Sequence, residues 1–250
     1  MFLARTLWHL GFPARALARA REAIVLAEAL AHPYNIVWSQ MHIVELYIEC
    51  RETQTALEVA SAILSTASEH GFSFLVATIT QLRSWLLVMQ EQDEERRTRL
   101  QHELVSMTSG RAAFLRSYVL ALLAKAYGTM GRIEEGLVEL ADALTSVDET
   151  GTHFYEAEIH RLKGHLLLQQ SPDNATEAET CFHQAISIAQ NQSAKSWELR
   201  AATSLARLWQ SQGKRQEAYD LLAPVYNWFT EGFDTADLKD AKVLLDELQE

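Results

Sequence analysis

The chain has 250 residues, 48% of them hydrophobic, with only ten Gly and four Pro, a formal charge of -11 and an isoelectric point near 5.3. That length buries a substantial core, and scarce helix breakers beside abundant Ala, Leu, Glu and Gln point to an all-α chain. The acidic balance excludes general attraction to nucleic-acid backbones or anionic membranes, and two cysteines, Cys50 and Cys181, in no metal-ligand spacing give a disulfide framework no support.

The first helical hairpin spans 1–31: apolar Leu3, Ala4 and Leu7, a bend at Gly11, then a second helix with the small residue Ala16 near its start. The second, 35–69, repeats the layout with Ile43, Val44 and Tyr47, Arg51 where the glycine would stand, and Ala56. The third, 73–107, is degenerate, because Arg96 replaces the small residue. The fourth, 112–147, has Leu123, Ala124, Tyr127, Gly131 and Gly136. The fifth, 153–190, has Gly164 and Leu167 before a longer bend, then Ala178. The sixth, 194–229, has Leu205, Ala206, Trp209, Gly213 and Ala218, with Pro224 expected to kink its second helix. Residues 232–250 place Leu238, Ala241, Leu244, Leu245 and Leu248 on one face and charge on the other, the pattern of a closing helix.

The small residues recur in steps of about 40, the signature of a repeat architecture. Each first helix carries apolar residues at i, i+3 and i+4, as in Ala202, Leu205, Ala206 and Trp209, which share one face. The small residue lets two backbones approach, and the glycine supplies a left-handed helix end. Each hairpin buries its faces against the adjacent copies, so the expected product is an elongated, curved stack of about thirteen helices.

These residues resemble tetratricopeptide repeats of the long variety, over essentially the whole chain and most strongly from about residue 111. The resemblance implies a right-handed α-solenoid. The stretches "FYEAEIHRLKGHLLL" and "WELRAATSLARLWQSQGKRQEAYDLLAPVYNWFTEGFDTADLKDAKVLLDEL" are similar to the C-terminal repeat region of large bacterial signalling proteins. Those carry a class III adenylate or guanylate cyclase domain, or another output domain, followed by an AAA-type ATPase. The resemblance implies a noncatalytic interaction or sensing module. A free-standing adaptor, or the regulatory part of an ATP-dependent transcriptional activator, is the alternative.

No catalytic constellation stands out. Gly213-Lys214 is followed by Arg215, and no glycine precedes it at phosphate-loop spacing, so the pair reads as a bend. His160 and His165 are five apart rather than four, and Glu156 and Glu158 point away from each other on a helix. The expectation is a chain that is not an enzyme and binds no cofactor or metal. No apolar run reaches the ~20 residues that span a bilayer, and the opening stretch lacks a signal-peptide pattern, so a cytoplasmic protein with no membrane or direct nucleic-acid partner is expected.

In such a stack the side of each first helix opposite the packing stripe lines a groove where peptides or helices dock. The register assigns to it Arg5 and Trp8, then Trp38, Met41 and Glu45, then Gln81 and Trp85, Tyr118 and Lys125, Arg161 and His165, and Arg200, Thr203 and Arg207. Its first half is aromatic and apolar and its second half cationic, which suits a protein or peptide partner with an acidic segment. The competing reading has the tryptophans completing the core and the arginines paired with acidic neighbours. Met1, Phe2, Leu3, Leu7 and Trp8 crowd the first helix with no polar helix before them, so this end is expected to be an incomplete interface, completed by upstream domains or a second copy.

Overall fold

The computed structural model describes residues 1–90 and 113–250. Among the described residues there are twelve α-helices and no strand. The second helix expected for the third hairpin, with Arg96, lies outside them. The chain divides into two compact units. The first contains α1 (Phe2–His9), α2 (Pro13–Ala29), α3 (Pro33–Glu49), α4 (Thr53–Glu69) and α5 (Ser73–Gln90). The second contains α6 (Ala113–Thr129), α7 (Ile133–Thr150), α8 (Glu156–Gln170), α9 (Ala175–Asn191), α10 (Lys195–Ser211), α11 (Arg215–Asn227) and α12 (Ala236–Gln249). None of these helices is long and apolar enough to cross a membrane.

In the first unit α3 packs on α2 and α4, and also on α5. In the second, neighbours in sequence pack together, while α6 meets α8, α8 meets α10 and α10 meets α12. Alternate helices thus form a layer of their own within each unit, as repeated hairpins require. The packing faces explain why. α4 buries Ala56, Ala60, Ile63 and Ala67, and α7 buries Gly136, Leu140, Ala143 and Val147. Both are spaced four, three and four apart, which keeps them on one side of a helix. A side chain at Gly136 would reach within 3.2 Å of the Ala124 carbonyl oxygen and 2.8 Å of Leu166, so the small residue fixes how closely α7 lies on α6.

The bends follow the backbone rules. Gly213 has φ 79°, and the Lys214 amide donates to the Trp209 carbonyl at 2.9 Å, closing α10. At the matching place Arg51 takes φ 64° although it is not glycine. Between α8 and α9 the longer bend is a single 3-10 turn, Pro172–Asn174, started by Ser171, whose hydroxyl accepts from the Asp173 amide. α11 runs through Pro224 to Asn227, and α12 buries Leu238, Ala241, Leu244, Leu245 and Leu248.

Candidate functional site

In the first unit the structure moves most of the expected groove residues into the core. Trp8, Met41, Gln81 and Trp85 are buried, Trp85 to 1% exposure, so their side chains do not face a partner. The apolar periodicity of α3 and α5 is nearly continuous around each helix, and a residue opposite one packing stripe meets a second neighbour. Glu45 is buried too. It accepts from Arg5 Nη1 at 3.1 Å and lies 2.9 Å from His42 Nδ1, which makes it an internal counter-charge. Trp38 keeps part of its surface. Its ring stands edge-on to His42 at 4.9 Å and nearly parallel to Tyr34 at 6.0 Å and Phe74 at 6.3 Å. The exposed aromatics of this unit are thus Phe2, Tyr34 and Phe74, beside the half-buried Trp38. Their places near the starts of α1, α3 and α5 were the available signal in the sequence.

The second unit gathers the cationic residues. Glu158, buried on α8, accepts two bonds from Arg161, Nε to Oε2 and Nη2 to Oε1, each 2.7 Å. Arg200 Nη1 lies 3.9 Å from the same carboxylate, and its Nε donates to Asp237 at 2.7 Å. Burial alone would raise the Glu158 carboxyl, but Arg161, then Arg200 and Lys125, outweigh it and hold its pKa at about 2. Glu158 therefore stays ionised as the internal partner of the arginines.

His165 Nε2 lies 2.9 Å from the Ser204 hydroxyl, which donates to the Arg200 carbonyl oxygen and lies 3.4 Å from Arg161 Nη1. A hydroxyl whose proton is committed to that carbonyl accepts from the ring, so the network assigns the His165 proton to Nε2. Burial, followed by the positive charge of Arg161, lowers the His165 pKa to about 3, and the imidazole is neutral. Its neighbour His160 is lowered as well, chiefly by burial.

Placed one by one, Tyr118 is buried edge-on to Tyr155 at 4.9 Å and belongs to the core. Thr203 is buried, its hydroxyl donating to the Leu199 carbonyl. Arg200 is 11% exposed and clamped by carboxylates, so it ties α10 to α12 rather than facing outward. Arg207 is 51% exposed, 3.9 Å from Asp240. Lys125, Arg161 and His165 come together with Gly128, Thr129, Leu162, Leu166 and Gln169 around a cavity of about 220 Å³ between α6 and α8. Glu158, a poor acid-base candidate from its spacing, is instead the internal anion of this cluster, and neither Ser204 nor Asp237 stands out in the sequence. The three-residue spacing of Glu158 and Arg161 on a helix was the visible signal for the first.

No family model matches the chain, and no curated protein matches it. Solved structures do. The putative kinesin light chain nearly identical TPR-like repeats of Podosopora anserina align with TM-score 0.51 at 20% identity, covering 78% of this chain and 94% of that one. BtubC (BKLC) of P. vanneervenii aligns with TM-score 0.55 at 16% identity, covering 80% and 88%. The Signal Transduction ATPase with Numerous Domains protein of Pyrococcus horikoshii, which has a tetratricopeptide repeat sensor, aligns with TM-score 0.53 at 11% identity, covering 99% of this chain and 41% of that one. The fold is a tetratricopeptide-like helical solenoid. At these identities the likeness is one of fold.

Proposed function

We propose that this chain is a noncatalytic protein-interaction and sensing module whose second unit docks a partner segment bearing acidic residues. The observation that carries the reading is the placement of Lys125 and Arg207 on α6 and α10, with Arg161, 15% exposed and paired with Glu158, on α8 between them, alternate helices that line one layer of the unit, in a chain of net charge -11. Cationic side chains on a surface that the protein's average charge does not predict steer an acidic partner and set its register. The solenoid supplies the continuous surface that such docking uses.

The likeness to an ATPase that carries a tetratricopeptide repeat sensor supports a regulatory place in a signalling ATPase, and the resemblance of the closing repeats supports a nucleotide cyclase as a further parent. An adaptor acting alone, or the regulatory part of an ATP-dependent transcriptional activator, would use the same surface. In the test, labelled peptides of equal length, one acidic, one basic and one uncharged, are titrated against the full chain at two salt concentrations. The acidic peptide is expected to bind best and to weaken as salt rises. Equal binding of all three, or preference for the basic peptide, sinks the reading.

A further inference from the structure

In the first unit α2 packs one face on α3 and leaves an apolar stripe on the other. Ala16, Ala20 and Ala27 are buried on the inner side. On the outer side Ala18, Val25 and Ala29 are seven and four residues apart, which aligns them along the helix, and Leu26 and Leu30 lie to one side of them. Val25, Leu26 and Leu30 are 63%, 66% and 71% exposed. Among the described residues, the helices at the matching place in other hairpins differ: α4, α9 and α11 expose no large hydrophobic side chain, and α7 exposes only Val138. Since the repeat folds elsewhere without such a stripe, the stripe on α2 is a contact surface rather than a need of the fold.

The charges around the stripe say what covers it. Glu22, next to the stripe, is neutralised by Arg19 at 2.6 Å. Arg21 and Glu28 are exposed and have no ion pair among the described residues. They share the flank opposite Leu26 and Leu30, seven residues apart, with Val25 between them along the helix. A second α2 laid antiparallel, with a two-fold axis beside Val25, brings each Arg21 against the partner's Glu28 as the stripes meet. A two-fold interface is self-complementary, so this ion pair forms twice. A parallel pairing sets Arg21 level with Arg21 and Glu28 level with Glu28, which selects the antiparallel one. A helix lying on a membrane keeps its cations on the side away from its apolar face, and here both share the outer side. We propose that two copies of this chain associate through their α2 faces, antiparallel about a two-fold axis, with Val25, Leu26 and Leu30 as the apolar contacts and Arg21 and Glu28 as the reciprocal ion pairs. α2 has 17 residues and is about 25 Å long. A contact between two such helices falls short of the ~1,200–2,000 Å² that stable interfaces bury, so the dimer exchanges with monomer. It uses no residue of the docking surface described above.

The test is sedimentation velocity on the full chain over about a hundredfold range of concentration, where the wild type is expected to pass from monomer to dimer. Val25→Glu should hold the chain monomeric. Arg21→Glu alone and Glu28→Arg alone each set like charges at both contacts and should weaken association about tenfold or more. An equimolar mixture of these two variants makes both contacts attractive again and should restore it, as should the two changes combined in one chain. Leu3→Glu, on the exposed part of α1, should leave association unchanged. All the substituted positions are exposed, and circular dichroism melts check that each variant stays folded. A wild type that is monomeric at every concentration overturns the proposal, as does a dimer that Val25→Glu leaves intact. Association lost in both charge variants and not recovered in their mixture overturns the antiparallel pairing. A dimer broken by Leu3→Glu and not by Val25→Glu would lie on α1 and overturn it too.

Discussion

His165 and Glu158 show how two ionisable residues on one helix are driven in opposite directions from the same surroundings. Burial disfavours charge on both, but Glu158 faces Arg161, Arg200 and Lys125, while His165 faces Arg161, Arg207 and Lys125, which outweigh the opposing Glu158 charge and push it further toward neutrality. The pH dependence has the same sign for both. The folded pKa of His165, about 3, lies below the ordinary 6.5, so the unfolded chain binds the extra proton, and stability present above pH 6.5 is lost as pH falls toward 3. Glu158, about 2 against 4.5, contributes stability above pH 4.5 that is lost as pH falls toward 2. The interval between pH 6.5 and 5 therefore separates the histidine contribution from that of Glu158, with His160 acting in the same direction and Glu139, whose carboxyl is raised chiefly by burial, in the opposite one. Urea unfolding at pH 7, 6 and 5 should show stability falling with acid, and His165→Gln should reduce the slope by about one proton, roughly 1.4 kcal/mol per pH unit. An unchanged slope would mean that the ring is already accessible to protons.

At the scale of elements, the ends of helices and the ties between them decide stability. Ala31, between α2 and α3, has φ 50°, a left-handed conformation that costs a residue with a β-carbon about 1 kcal/mol. It is exposed, so Ala31→Gly removes the strain without removing packing. The expected gain is about 0.5–1 kcal/mol in urea midpoint experiments. A loss instead would place the chain entropy of glycine above the strain. Arg200 and Arg207 were expected to project together, yet only Arg207 does. Arg200→Glu would set a third carboxylate beside Asp237 and Glu158 in a site 11% exposed, and should cost about 3 kcal/mol or more. Arg207→Glu, half exposed, should stay within about 0.5 kcal/mol. Thermal melts of the two variants separate these outcomes, and equal losses would refute the division between structural tie and surface charge.

Across the whole molecule, burial differs sharply from one helix to another, and local opening should follow it. In α1, Phe2 is 72% exposed and Leu3 is exposed as well, whereas in α10 Leu205 and Ala206 are fully buried among the residues of the second unit. Amides of residues 3–10 should therefore exchange with deuterium much faster than those of residues 202–210, since protection tracks the apolar contacts that opening must break. Comparable protection would show that α1 is held as firmly as the core.

The sequence alone determined the helical class, the hairpin bends and the close approaches, because each depends on local rules: 3.6-residue periodicity, positive φ at Gly213, and the missing side chain at Gly136. Lys125, Arg161 and His165, three of the residues it assigned to a groove along the whole stack, line one cavity, since residues a fixed distance from each bend fall on matching faces of successive first helices. What it left open was whether each groove residue meets water or another helix. Trp8, Met41, Trp85 and Tyr118 went inward because a first helix in a stack has neighbours on more than one side, and periodicity on one helix does not reveal the second neighbour. The split among the arginines was likewise tertiary. Arg200 meets Asp237, a residue 37 positions away on α12, so no local pattern joins them, whereas Arg207 on the same helix remains at the surface.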